Sequence, residues 1–209
     1  MALLALSLPL STSAFAEESQ LRPNSIDAGR IAFTRKFNNQ KDIYVVDFVT
    51  GKFTPLVATP AIDEYPSWSP DGSKIVFYSD MCGDREIFSI KDDGTELKRL
   101  TNSQGIDEDP DWSPDGKQIV FRSERKGRGS STILTMNADG SGIPKELSKS
   151  EGENSVPRWS PRGNEIVYAT NAFWPGWDML LVNANSLDCL LYTSPSPRDA
   201  TLSRMPSSA

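Results

Sequence analysis

Short apolar runs of three to five residues, each closed by a polar turn, recur along this chain. Ile75-Val76-Phe77-Tyr78 and Ile119-Val120-Phe121 are β-branched and aromatic, the composition of buried strands. Further apolar runs follow each phenylalanine, Ile87-Phe88-Ser89-Ile90 and Ile133-Leu134-Thr135-Met136. Behind these stand the turns Asp92-Asp93-Gly94 and Asp139-Gly140-Ser141-Gly142, then short segments at Leu97–Leu100 and Lys145–Leu147. No stretch keeps apolar positions in step with a 3.6-residue helical turn, so the pattern predicts strands and hairpins.

One phrase precedes the first run of each set. It reads Trp68-Ser-Pro-Asp-Gly-Ser-Lys-Ile-Val-Phe77, Trp112-Ser-Pro-Asp-Gly-Lys-Gln-Ile-Val-Phe121 and Trp159-Ser-Pro-Arg-Gly-Asn-Glu-Ile-Val-Tyr168. Proline presets φ inside the turn, glycine tolerates positive φ at its end, and the Trp strand has to stop there. The Trp-to-Trp spacings are 44 and 47 residues, the period of a propeller blade. Four strands per period make one blade, with the Trp strand innermost.

The repeat extends in both directions. Gly29 to Phe33 and Asp42 to Val46 match the second and third strands of a first unit whose Trp strand is not evident. Ile166 to Thr170 and Met179 to Asn183 continue a fourth unit. The expected fold is all-β: an incomplete propeller of four-stranded antiparallel blades over residues 17–188, with blades near 29–59, 60–103, 104–150 and 151–188. With about four to eight blades needed to close a ring, the end blades are expected to expose apolar faces.

The two ends read differently. Residues 1–16 carry an apolar stretch and a small-residue Ala14-Phe15-Ala16 site, which predicts a cleaved secretory signal peptide and no spanning helix afterwards. Residues 189–209, rich in Ser and Pro, resemble translated sequencing-adapter read-through, and they are expected to be non-native and to contribute no blade.

Charge narrows the partners. Residues 17–188 hold 20 basic and 27 acidic side chains, a net −7 without a basic cluster, which argues against nucleic acid and anionic membrane surfaces. Arg122 to Arg128 reads as a solvated loop interrupted by Glu124. Cys82 and Cys189 suggest no disulfide framework. The chain has no histidine, no Gly-x-Ser-x-Gly elbow and no phosphate-binding glycine loop, so the residues present do not form a familiar catalytic set. No cofactor is expected.

Two groups of residues are candidates for binding. Five residues before each Trp stand Asp63, Asp107 and Asn154, and four before stand Glu64, Glu108 and Ser155. On successive innermost strands these would ring one mouth of the channel, where oxygen ligands suit a basic peptide or Ca²⁺. Short polar residues at a strand entry also serve simply to cap backbone groups there. The second group is the loop holding Phe173, Trp174 and Trp177, an aromatic cluster suited to a protein or ligand contact. The three repeated Trp residues, by contrast, read as packing between blades.

Units of the form Pro-x-Trp-Ser-Pro-Asp-Gly-x-x-Ile-x-Phe, seen at Pro66–Phe77 and Pro110–Phe121, with Arg99-Leu100-Thr101 after the first and Asp139-Gly140 after the second, resemble the TolB-type, WD-repeat-like β-propeller family. Pro157–Tyr168 fits except that Arg162 replaces Asp. The resemblance implies an exported, periplasmic or secreted, non-catalytic scaffold that binds a protein partner in the cell envelope. Similar repeats also cap serine peptidases of the prolyl-oligopeptidase type, which implies the alternative of a peptidase propeller separated from its hydrolase domain.

Overall fold

A computed structural model describes residues 29–125, 127, 129–148, 152–172, 176–186 and, for the backbone, 189–192. The signal-peptide segment 1–16, Phe173 and Trp174 lie outside the described residues. Among the described residues, fifteen strands form four antiparallel sheets and there is no helix.

Blade 1 holds β1 (Arg30–Phe37), β2 (Gln40–Asp47) and β3 (Lys52–Val57). Blade 2 holds β4 (Asp63–Trp68), β5 (Lys74–Cys82), β6 (Asp84–Lys91) and β7 (Lys98–Arg99). Blade 3 holds β8 (Asp107–Trp112), β9 (Gln118–Ser123), β10 (Thr132–Asn137) and β11 (Lys145–Glu146). Blade 4 holds β12 (Asn154–Trp159), β13 (Glu165–Thr170), β14 (Asp178–Asn183) and β15 (Cys189–Tyr192). Strand order within each sheet follows the chain, so every blade is a meander; blades 2, 3 and 4 carry their Trp strand at one edge, and blade 1 has three strands among the described residues. The Trp strands β4, β8 and β12 adjoin one another in turn, as innermost strands do. Residues 189–192 pair with β14 as the outer strand of blade 4.

The repeated phrase makes the turn its chemistry requires. The Gly72 N–H donates to the Ser69 carbonyl at 2.9 Å, with Gly72 at φ +70°, and the Ser69 hydroxyl donates to the Asp71 carboxylate at 2.6 Å. Ser113, Asp115 and Gly116 repeat this arrangement. Where Arg162 replaces the aspartate, the Gly163 N–H still reaches the Ser160 carbonyl at 2.9 Å. The backbone turn therefore does not depend on the acid.

Alternation along β5 sends Ile75 and Phe77 to one neighbour, Val76 and Tyr78 to the other. One apolar cluster joins Ile43, Val45 and Val57 of blade 1 to Ile75, Phe77, Phe88 and Ile90 of blade 2. A second joins Val76, Tyr78 and Ile87 to Trp112, Ile119, Phe121, Leu134 and Met136 of blade 3. A third joins Val120 and Ile133 to Ile166, Tyr168, Leu180 and Val182 of blade 4. The core is thus a series of layers between blades rather than one central mass.

Candidate functional site

Each innermost strand enters through a short polar turn and then bulges. Register slips between Glu64 and Ser67, between Glu108 and Asp111, and between Ser155 and Arg158. In each bulge one residue before a proline stands in the left-handed region: Tyr65 at φ +55°, Asp109 at +54° and Val156 at +50°. Proline disfavours the right-handed conformation for the residue before it, and a β-branched valine at positive φ is a strained choice. Tyr65 and Val156 are exposed at the bulge, while Asp109 is buried.

The sequence candidates occupy the entry of these strands. Asp63, Asp107 and Asn154 are all fully buried. Asp63 accepts a hydrogen bond from the Thr59 hydroxyl at 2.9 Å, and burial pushes its carboxyl above the usual range. Asp107 accepts from the Ser123 hydroxyl at 2.5 Å and from Arg125 Nη2 at 2.8 Å. Asn154 receives the Ser131 hydroxyl on its backbone carbonyl at 2.7 Å and donates its side-chain amide to the Ser131 carbonyl. These three side chains tie the strand entry to neighbouring strands and loops.

Glu64 and Glu108 act between blades. Lys41 of blade 1 donates to Glu64 at 2.7 Å, and the Tyr78 hydroxyl donates to the same oxygen at 2.6 Å. Beside this carboxylate, and buried, the Tyr78 phenol is held well above its ordinary range. One blade on, Arg85 donates to Glu108 in the corresponding contact, and Arg122 Nη1 donates to the other Glu108 oxygen at 2.7 Å. At the next junction the ion pair is missing from the sequence, and Ser131 and Asn154 take its place. Among the described residues, no three His, Cys, Asp or Glu side chains come together as a set for a metal ion.

Several of these residues escape a reading of the sequence. Arg122, expected in a solvated loop, lies in β9 and bonds Glu108, Glu124 and the Asn154 carbonyl. Asp111 spans three blades: the Ser67 hydroxyl donates to one oxygen at 2.9 Å and the Trp159 N–H to the other at 3.0 Å. Burial raises the Asp111 carboxyl above its ordinary range, against the lowering effect of the Trp159 N–H. Asp109 accepts from the Val156 N–H at 3.2 Å across the same junction. The available signal was a departure from the repeat, since blade 3 alone writes Asp-Glu-Asp-Pro-Asp before its Trp.

The tryptophans divide by environment. Trp112 is buried between blades 2 and 3 and donates its indole N–H to the Ser67 carbonyl at 3.2 Å. Trp68 packs against the blade 1–blade 2 core under the Arg30 guanidinium, 5.0 Å from the ring centre. Trp177, the described member of the aromatic loop, is exposed. Cys82 is an exposed free thiol in the β5–β6 hairpin.

The comparisons with known proteins agree with this architecture. The family model described as the TolB beta propeller domain matches residues 16–176. A protein TolB homolog of Chlorobium luteolum is 48% identical over 114 residues, 54% of this chain and 26% of that protein. The crystal structure of TolB from Acinetobacter baumannii superposes with a TM-score of 0.71 at 28% identity, over 80% of this chain and 41% of that one. Puromycin hydrolase shares the fold, with a TM-score of 0.66 at 12% identity over 84% of this chain and 29% of the enzyme. The chain therefore spans about a quarter of the curated relative's length and less than half of the Acinetobacter protein's. With four blade sheets, the Trp-Ser-Pro turns and a family match across most of its length, the chain belongs to the TolB beta propeller domain family.

Proposed function

We propose that this chain is part of an exported, non-catalytic scaffold of the periplasm that binds a protein partner of the cell envelope through the inner edge of its blades. The observation that carries the reading is the bulge repeated on three innermost strands. It holds Tyr65 and Val156 exposed at strained backbone, while the Lys41–Glu64 and Arg85–Glu108 pairs fix the strand entries of blades 2 and 3. Rigid elements presenting a few exposed side chains suit recognition better than turnover. The likeness to TolB proteins of other bacteria supports the envelope location.

The test is site-specific photocrosslinking in the periplasm of a host making the chain within its full-length parent. A photoreactive amino acid at Tyr65 should give a discrete protein adduct, and the same group at exposed Ile143 should not. Equal adducts at both positions, or none at Tyr65, would overturn the proposal.

The propeller of a serine peptidase is the second reading, favoured by the fold shared with puromycin hydrolase. A Gly-x-Ser-x-Gly elbow followed by Asp and His in the parent gene would support it.

A further inference from the structure

We propose that Asp63, at the junction of blades 1 and 2, is a proton-binding site that ties the strength of that junction to pH. The observation is a contrast between two copies of one arrangement. In blade 3, Asp107 is 0% exposed, the Ser123 hydroxyl donates to its Oδ1 at 2.5 Å, and Arg125 Nη2 donates to its Oδ2 at 2.8 Å. Asp63 stands at the same position of blade 2, pairs with Ser79 as Asp107 pairs with Ser123, and is also 0% exposed. Its Oδ2 accepts from the Thr59 hydroxyl at 2.9 Å, where Asp107 Oδ2 has Ser103, but its Oδ1 has no hydrogen-bond partner. The place of Arg125 is taken by Met81, which packs against the apolar layer between blades 1 and 2.

The charges around Asp63 are engaged elsewhere or carry the wrong sign. On β2, the Lys41 ammonium is taken by Glu64 at 2.7 Å, and the Asp42 carboxylate brings a second negative charge to bear on Asp63. Arg35, opposite Asp42 on β1, donates to the Tyr44 hydroxyl at 3.2 Å. On β4, Glu64 accepts from both Lys41 and Tyr78. On β5, Ser79 accepts the Met81 N–H at 3.2 Å, and Asp80 accepts the Ile62 N–H at 2.8 Å. Among the described residues Asp63 forms no ion pair. Burial raises its carboxyl above the ordinary range and the Asp42 charge adds to this, against the lowering effect of the Ser79 and Thr59 hydroxyls.

Burial and shape select the ligand. A buried carboxylate with an unbonded oxygen is costly while charged, and it is relieved by a cation or by a proton. Met81 fills the approach that Arg125 uses toward Asp107 with apolar atoms, which disfavours a basic side chain. Among the described residues no three acidic, His or Cys side chains gather as a metal set. A proton needs neither room nor further ligands. It leaves Asp63 neutral, the state that blade 4 holds permanently with Asn154, 0% exposed at the same strand entry. Because the folded-state pKa lies above the unfolded one, the contribution of Asp63 to stability is present below about pH 4 and is lost as pH rises through the folded pKa. Deprotonation then sets a bare negative charge against Asp42 where blade 2 meets blade 1.

Carbon-13 NMR of the full chain, labelled at its aspartate carboxyls, reads the proton directly, with the Asp63 signal identified by its loss in Asp63→Asn. That variant should fold, since Asn154 already occupies the same position in blade 4. Asp63 should titrate above Asp93 and Asp139, whose carboxyls are held below the ordinary range by hydrogen bonds from Thr95 and Ser141. In urea unfolding, the folded-to-unfolded ratio of the parent relative to Asp63→Asn should fall by about tenfold for each unit by which the folded pKa exceeds the unfolded one. Met81→Arg copies the blade 3 arrangement and should move the Asp63 titration downward. The first two readouts leave Met81 unchanged, so they decide the matter even where the arginine variant does not fold. An Asp63 that titrates together with Asp93, a stability ratio that does not change with pH, or a folded Met81→Arg variant whose Asp63 titration stays in place would each overturn the inference.

Discussion

Replacing Trp112 by Ala tests whether stability resides between blades. The indole fills the layer shared by Val76, Tyr78 and Ile87 of blade 2 and Ile119, Phe121 and Leu134 of blade 3. Emptying a large buried site of this kind costs about 3–5 kcal/mol. That total includes the hydrogen bond to the Ser67 carbonyl, worth about 1 kcal/mol. Trp112→Phe separates the two contributions, because it keeps a ring in the layer and loses the N–H together with some volume. It should cost about 1–2 kcal/mol, roughly a third of the alanine effect. Urea unfolding at one fixed protein concentration, followed by circular dichroism, measures both. The slope with denaturant should stay constant, since the surface exposed on unfolding hardly changes. For a chain of this size the alanine variant should melt about 6–20 °C lower. A loss below about 1 kcal/mol, or a phenylalanine variant as damaged as the alanine one, would show that the layer does not hold the blades together.

The remaining expectations concern the polar contacts. Glu108→Ala should cost about 1–3 kcal/mol, because Arg122 loses a partner in a mostly buried position, while Arg85→Ala at the more exposed end should cost under about 1 kcal/mol. A double-mutant cycle measures their coupling, and a coupling of zero would remove Arg85 from the interblade contact. Asp111 has a folded-state pKa above its unfolded value, so its contribution to stability is present below about pH 4 and is lost as pH rises through the folded pKa. The stability of Asp111→Asn relative to the parent should therefore improve with pH across that window, and a difference that stays flat or falls would contradict the burial effect. Gly105→Ala would place a Cβ 2.8 Å from the Glu124 carbonyl carbon and oxygen, so a loss of about 1–3 kcal/mol is expected by thermal unfolding, and a neutral result would mean the two loops can part freely.

How much was legible beforehand differs between strand and junction. The Trp-Ser-Pro-Asp-Gly phrase determined the hairpins, the blade period and the innermost position of the Trp strand, because proline, glycine and alternating apolar residues act through local backbone geometry. The same locality made Ile75, Phe77, Ile119 and Phe121 readable as core residues. What Glu64 and Glu108 do was not readable, since their partners Lys41 and Arg85 stand 23 residues away and meet them only after two blades have packed. The local pattern alone does not separate Ile31 from Ile75; only the blade count, which puts Ile31 on an end blade, does so. The two residues stand in the same pattern, and one is exposed while the other is buried solely because a neighbouring blade covers it. Asp111, joined to Ser67 and to Trp159 on flanking blades, is likewise a property of the assembled layers. Strand and turn follow from covalent neighbours and so can be read from the sequence, whereas burial and charge pairing come from residues brought together by packing, and only the tertiary structure decides those.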